Sequence, residues 1–472
     1  MTSQVLAEIE AAVAVVDHRA ATALAVLEDV AGDPPTGTAL VDAPEEPRLV
    51  RPASDAAATA DVALAPVGDV PARPRGRKLW GVGALAAAVA AVVSIQLARP
   101  VGAPALHAAL AKLTAMAARQ AHLPWPATGE AAVAVPAVGM TVQSGPESPV
   151  PVASLTKVMT AYVILQDHPL ASKNGGPAVT LTAADQAEAA ADLAANATAV
   201  PVQPGESLTE RQLLDGLLVH SANNFADVLA KWDVGSIPAF VTKMNATAAA
   251  LGMAATHYVD ASGLDDHTVS TAADQLRVAA AAMAIPTFAA VVAQPTVTFP
   301  IAGPLQNYVT AVGTDGVVGV KSGFTQAAMG CLVLAANRSV AGRDVLVLAA
   351  VTGQPPPNPL GQAQQGDLKL VDAVPSALRQ VSLVTRGATV ARVDVPWGSP
   401  VRATADGSVS ALLWPTETVR ETFAGRAVRS GEGSGADVGT LAVSVGGHRS
   451  LVNVRLSSPI GRPSLFWRLA HG

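Results

Sequence analysis

Ala153-Ser154-Leu155-Thr156-Lys157-Val158-Met159-Thr160-Ala161-Tyr162 sets a serine and a lysine three residues apart at the head of an apolar run. Pro149 and Pro151, just upstream, oppose an earlier helix start. Val158, Met159, Ala161, Tyr162, Ile164 and Leu165 predict a buried helix of about three turns. If that helix begins near Ser154, the i,i+3 spacing brings the Ser154 hydroxyl and the Lys157 amine to one face, with the hydroxyl at the positive end of the helix dipole. Burial disfavours the charged form of a lysine, and a neutral amine beside a hydroxyl is a nucleophile with its own base. The same residues also fit a serine N-cap followed by a solvated lysine, so the rest of the chain has to decide.

The chain has 472 residues, half of them hydrophobic, enough for two or three domains. A formal net charge of −6 leaves no basic footprint and argues against nucleic-acid binding. Cys331 is the only cysteine, which excludes an intramolecular disulfide and a cysteine metal cluster. It lies in the apolar run Met329-Gly330-Cys331-Leu332-Val333-Leu334 and reads as a small core residue. His168, His220, His257 and His267 are scattered without a metal-ligand spacing, so no metal and no other cofactor is expected.

Residues 1–78 divide into an alanine-rich helix over Val5–Val30 and an acidic, proline- and alanine-rich tail that reads as disordered. Arg73, Arg75, Arg77 and Lys78 then precede Leu79–Ala98, which carries no charge. That length matches a bilayer core of about 30 Å at about 1.5 Å per residue. The basic cluster places the N-terminus in the cytoplasm and everything after residue 99 outside. A signal peptide would need an improbably long charged region, and a buried alanine-rich helix is the remaining competitor. The expectation is therefore one plasma-membrane helix over 79–98, followed by a short helical stalk over 99–124.

From Gly129 the pattern turns to short strands, Ala131–Val135 and Gly139–Val142. Helices follow from Ser154, over Leu213–Trp232 as a pair meeting near His220-Ser221, over Phe240–Leu251, and over Thr271–Met283. Strands return at Thr296–Ile301, Val317–Val320, Cys331–Ala335 and Val345–Thr352. Strands, then helices, then strands predict an α+β domain with helices on an antiparallel sheet, spanning 125–358. The proline-rich Gln354–Pro359 reads as a boundary. Alternating runs beyond it, such as Ala388–Val395, Leu441–Val445 and Leu451–Leu456 with Gly446-Gly447 as a turn, predict a small β domain over 359–472.

Two further motifs stand at domain-scale spacing from Ser154. Ser221-Ala222-Asn223 follows an apolar helix, where a loop could aim both side chains into a cleft. Ser172-Lys173-Asn174 has a similar composition, but Gly175-Gly176-Pro177 beside it reads as a surface turn. Lys321-Ser322-Gly323 follows an apolar strand. A lysine and a hydroxyl there can bind a carboxylate, and the glycine admits a close backbone approach. Alone, Lys321 would also suit an edge strand guarding against aggregation. The order Ser-x-x-Lys, Ser-x-Asn, Lys-Ser-Gly on helix, loop and strand is far more specific than any one triplet.

With these motifs in place, the sequence resembles the low-molecular-mass penicillin-binding proteins, the serine-type D-alanyl-D-alanine carboxypeptidases. The likeness covers about residues 125–355 and includes Ser221-Ala222-Asn223-Asn224, Ala261-Ser262-Gly263-Leu264-Asp265-Asp266 and Gly319-Val320-Lys321-Ser322-Gly323-Phe324-Thr325. Serine at 322 stands where that family usually has threonine, and the hydroxyl is retained. The resemblance implies a penicillin-binding/β-lactamase-like transpeptidase fold. It further implies that Ser154 attacks the D-alanyl-D-alanine bond of a peptidoglycan stem peptide, that Lys157 is its base, and that Ser221 relays a proton to the leaving amine. Asn223 would hold the substrate amide, and Lys321 and Ser322 its carboxylate. Gly323 would let the substrate backbone approach, and the N–H groups of Ser154 and Phe324 would form the oxyanion hole. β-Lactams would be trapped on Ser154.

A class A β-lactamase needs a deacylating glutamate between the second and third motifs, and no glutamate occurs from Asn224 to Val320. A D,D-endopeptidase uses the same residues and stays open. So does a non-catalytic, membrane-anchored scaffold or sensor of peptidoglycan, for which the long acidic tail speaks. That tail also suggests a cytoplasmic partner.

Overall fold

The computed structural model describes residues 77–110, 122–171, 175–415, 418–445 and 447–471. The N-terminal tail, most of the expected stalk and the Ser172-Lys173-Asn174 triplet lie outside these. Helix α1 spans Arg77–Ala98. Among the described residues no single helix is long and apolar enough to cross a membrane, Gly83–Ala98 being a shorter apolar helix. Where the sequence suggests a helical stalk, Ala105–Ala108 instead forms strand β1, pairing antiparallel with a C-terminal strand at Leu106↔Val393. The ladder partner overrides a weak local helical preference.

The central sheet begins with β2 (Glu130–Val135) and β3 (Met140–Ser144). Helices follow: α2 (Thr156–Asp167), α3 (Glu210–Leu218), α4 (Asn223–Val234) and α5 (Ala272–Met283). Thr271 caps α5, its side chain accepting from the Asp274 N–H. The chain then returns to the sheet with β4 (Val317–Thr325), β5 (Met329–Val340) and β6 (Arg343–Gln354). The order is β4-β5-β6-β2-β3, antiparallel throughout. The α+β arrangement expected from the sequence, helices on an antiparallel sheet, is the one observed.

This sheet is buried on both faces, which explains why its strands read as continuous apolar runs rather than alternating ones. On one face Ala132, Ala134, Val333, Ala335, Leu348 and Ala350 pack with the helices, around an α2 buried over most of its length. On the other, Val133, Leu334, Val347 and Val351 meet Leu370, Val371 and Val374 of α6 (Pro359–Ala377). The sequence gives no sign of this helix. It starts directly after the proline-rich segment read as a boundary and completes the three-layer packing of the sheet.

C-terminal to α6 the chain is almost entirely β. Strands β7 (Thr389–Asp394), β8 (Val401–Ala405), β9 (Arg420–Gly425), β10 (Asp437–Val445) and β11 (His448–Leu456) join β1 in a six-stranded sheet of order β1-β7-β8-β11-β10-β9. Its apolar core, including Val393, Ala403, Leu441 and Val454, is distinct from the two cores flanking the central sheet. A short helix, α7 (Leu465–His471), ends the described chain.

Candidate active site

Ser154 does not lie in α2 itself. It sits in a 3-10 turn, Ala153–Leu155, that leads into α2 at Thr156. Ala153 takes φ +49°, a left-handed conformation costly for a residue with a Cβ, and thereby turns the chain from β-structure into the helix. Thr156 Oγ1 donates to the Ala153 carbonyl at 2.9 Å and braces the turn. The i,i+3 relation survives the change of helix type. Lys157 Nζ donates to Ser154 Oγ at 2.9 Å.

Lys157 is completely buried, and two further acceptors fix its amine: Asn223 Oδ1 at 2.6 Å and the Ser262 carbonyl at 2.7 Å. Burial pulls its pKa down from 10.5 to about 7, against the opposing charges of Asp260, Asp227 and Asp192. The amine is therefore partly neutral near pH 7 and can take a proton from the hydroxyl it touches.

The second motif lies at the α3–α4 junction. Ser221 holds φ +65°, is almost fully buried, and stands two residues before Asn223, the first residue of α4. Asn224 pins this junction to the preceding loop, accepting from the Val200 N–H at 3.1 Å and donating to the Val200 carbonyl at 3.0 Å. Backbone strain carried by a non-glycine residue needs such surrounding restraint.

The third motif lies on a strand as expected, inside β4, which runs on past Val320 to Thr325. Lys321 is buried and donates to the Ser322 carbonyl at 2.8 Å. Burial first, then the nearby Lys157, hold its pKa well below the usual lysine range. Gly323 lies against the nucleophile turn: a Cβ there would come within 2.8 Å of the Ser154 nitrogen and 3.1 Å of the Val152 carbonyl oxygen. Only glycine lets β4 approach so closely. Phe324, next along, is half exposed.

A fourth segment, 260–268, completes the site; its stretch 261–266 carries part of the family likeness in the sequence, which assigns it no chemical role. Asp260 Oδ2 accepts from Ser262 Oγ (2.8 Å), Gly263 N (2.7 Å) and Leu264 N (2.8 Å), while Oδ1 accepts from Thr268 Oγ1 (2.6 Å). This clamp aims the Ser262 carbonyl at Lys157. Thr160 on α2 donates to the Ala261 carbonyl at 2.6 Å, and Thr325 on β4 donates to Asp266 at 3.1 Å. The available signal was an aspartate followed within three residues by serine and glycine, the composition of an Asx turn.

A hydroxyl held against a buried lysine of lowered pKa is chemically able to carry serine acyl transfer. Residues 137–352 match the family model of the D-alanyl-D-alanine carboxypeptidases. A D-alanyl-D-alanine carboxypeptidase of Mycobacterium tuberculosis is 44% identical over 115 residues, 24% of this chain and 35% of that protein. A D-alanyl-D-alanine endopeptidase of Pseudomonas aeruginosa is 36% identical over 153 residues, 32% of this chain and 46% of that protein. The chain thus spans between a third and a half of the length of these curated relatives. The crystal structure of a D-alanyl-D-alanine carboxypeptidase from Francisella tularensis shares the fold, with a TM-score of 0.52 at 18% identity over 73% of this chain and 96% of that one. Residues 137–352 are thus similar to the D-alanyl-D-alanine carboxypeptidases.

Proposed function

We propose that this protein is a serine D-alanyl-D-alanine carboxypeptidase acting on peptidoglycan stem pentapeptides. The observation that carries the proposal is the 2.9 Å contact between Ser154 Oγ and a Lys157 amine held at about 7. In this reaction Ser154 Oγ passes its proton to Lys157 as it attacks the carbonyl between the last two D-alanines. The N–H groups of Ser154 and Phe324 receive the oxyanion, and losing one such donor typically costs on the order of 3 kcal/mol of transition-state stabilisation. Ser221 relays the proton to the leaving amine, D-alanine departs, and an ester on Ser154 remains until water cleaves it. With Asn223 Oδ1 held by Lys157, its Nδ2 is the group offered to the substrate amide. The terminal carboxylate binds Lys321 and Ser322. That negative charge restores the proton on Lys321, and the resulting cation keeps Lys157 neutral.

The setting belongs to the same proposal. Leu79–Ala98 anchors the protein in the plasma membrane with the acidic tail in the cytoplasm, where it meets a partner, and the catalytic domain outside. The basic cluster before residue 79 and the exposed Leu85, Val89, Val92 and Ile95 on α1 support this. The strands beyond α6 form a separate β domain.

Mass spectrometry of the full chain after exposure to benzylpenicillin tests the nucleophile. The expected result is one adduct on Ser154, absent from Ser154→Ala, together with D-alanine release from a pentapeptide. No adduct and no penicillin turnover would leave a peptidoglycan-binding scaffold instead. The Pseudomonas aeruginosa relative gives the endopeptidase reading its support, and cleavage of a cross-linked dimer faster than the pentapeptide would establish it.

A further inference from the structure

Helix α1 ends against the C-terminal part of the molecule. Leu97 lines a cavity of about 840 Å³ together with Trp397, Arg429, Arg462, Leu465 and Arg468. Arg468, on α7, donates from Nη1 to the Leu97 carbonyl at 3.0 Å. This joins the end of α1 to α7 and places a cation at the negative pole of the α1 dipole. Among the described residues no carboxylate forms an ion pair with Arg429, Arg462 or Arg468. Glu432, the acid that interacts with Arg429, is already taken by two bonds from Arg426 at 2.9 and 2.8 Å and by the Arg429 N–H at 2.8 Å.

The fringe of this cationic cavity is apolar and aromatic. On α7, Leu465 is 66% and Phe466 88% exposed, on a helix too short to hide them. Trp397 donates from Nε1 to the Gly461 carbonyl at 2.7 Å and meets Trp467 edge-on, ring centroids 6.2 Å apart. Indoles with one polar tip, exposed aliphatic side chains and arginines collect where a hydrocarbon layer meets water. α1, whose C-terminal end meets Arg468, carries exposed apolar side chains of its own, Leu85, Val89, Val92 and Ile95. A soluble anion would account for the arginines but not for Leu465 and Phe466. A phospholipid accounts for both: its phosphate meets the guanidinium groups and its acyl chains meet the apolar fringe.

We propose that this cavity binds the headgroup of an anionic phospholipid, seating α7 in the membrane interface beside the emerging end of α1. The inference rests on the membrane-anchored reading of α1. The test places the full chain in nanodiscs of phosphatidylcholine alone or mixed with phosphatidylglycerol, and follows hydrogen exchange over 462–471. Wild type is compared with the double variant Arg429→Gln/Arg462→Gln, which keeps the Arg468–Leu97 bond and should acylate with benzylpenicillin at the wild-type rate.

Each arginine near an anionic surface adds roughly fivefold to binding, so the double variant should lose about twenty-five-fold. Protection of α7 in phosphatidylglycerol discs, weaker in phosphatidylcholine and lost in the variant, is the expected result. Equal protection in both discs, or protection that survives the double substitution, overturns the site. Equal protection by inorganic phosphate in detergent overturns the lipid assignment in favour of a free anion. A chain that enters neither disc removes the anchor and the site together, whereas entry without lipid-dependent protection removes the site alone.

Discussion

Lys157 sets the chemistry at the scale of single residues. A buried amine with a pKa near 7 accepts a proton only when deprotonated, so acylation by benzylpenicillin should fall as pH drops through about 7, approaching tenfold per unit below about 6. A stopped-flow profile flat from pH 8 to pH 5 would contradict this assignment of the base. Stability carries the same sign. The folded pKa lies below the unfolded value, so the unfolded chain binds more protons between about 7 and 10.5 and stability rises with pH across that window. Gly323 supplies a second prediction. In Gly323→Ala the new Cβ meets the Ser154 nitrogen and the Val152 oxygen, both backbone atoms that cannot rotate away. The oxyanion donors then separate, and acylation should fall by about a hundredfold with circular dichroism unchanged. Near-wild-type acylation would mean that β4 is not part of the hole. The three triplets were legible because their chemistry resides in side-chain identity. The Ser262 carbonyl was not, since every residue has a carbonyl and only the fold aims this one.

Legibility at the scale of elements follows the strength of the local pattern. The helix after Ser154 and the α3–α4 pair came through because their apolar faces are long and unbroken. Helix α6 was missed because Gly361, Gly366 and Pro375 interrupt a glutamine-rich run whose apolar stripe is thin. It holds as a helix because the sheet takes Ala363, Leu370, Val371 and Val374. Strand β1 was misread for the complementary reason, its conformation coming from a partner almost three hundred residues away. Within α6, Asp367 is fully buried, and neither carboxylate oxygen has a hydrogen-bond partner among the described residues. Burial raises its pKa well above 3.8. The folded state therefore keeps a proton that the unfolded chain releases above about pH 4, and stability declines as pH rises from there. Asp367→Asn should flatten that slope and add about 1–3 kcal/mol at pH 8. Urea unfolding at pH 5 and pH 8 reads both. An unchanged slope would show that Asp367 is solvated in solution.

The whole molecule divides its apolar cores unevenly. Two cores share the central sheet, one on each face, and so cannot unfold separately, whereas β7, β8, β10 and β11 have a core of their own, with Trp414 beside it reaching into the second core of the sheet. The candidate site residues Ser154, Lys157, Ser221, Asn223 and Lys321 all belong to the first assembly. Such a division predicts two calorimetric transitions rather than one. Leu441 is buried in the C-terminal core, and Leu441→Ala should cost about 2–5 kcal/mol there, lowering one transition by on the order of 10 °C. The other transition, and the rate of benzylpenicillin acylation, should not move. Acylation provides the converse perturbation: a ligand fixed to Ser154 stabilises only the unit that contains it, so the second transition should rise while the first stays in place. If instead one transition shifts under both perturbations, the C-terminal strands are part of the catalytic unit's cooperative fold, and the active site is held together by the whole chain from β1 to β11.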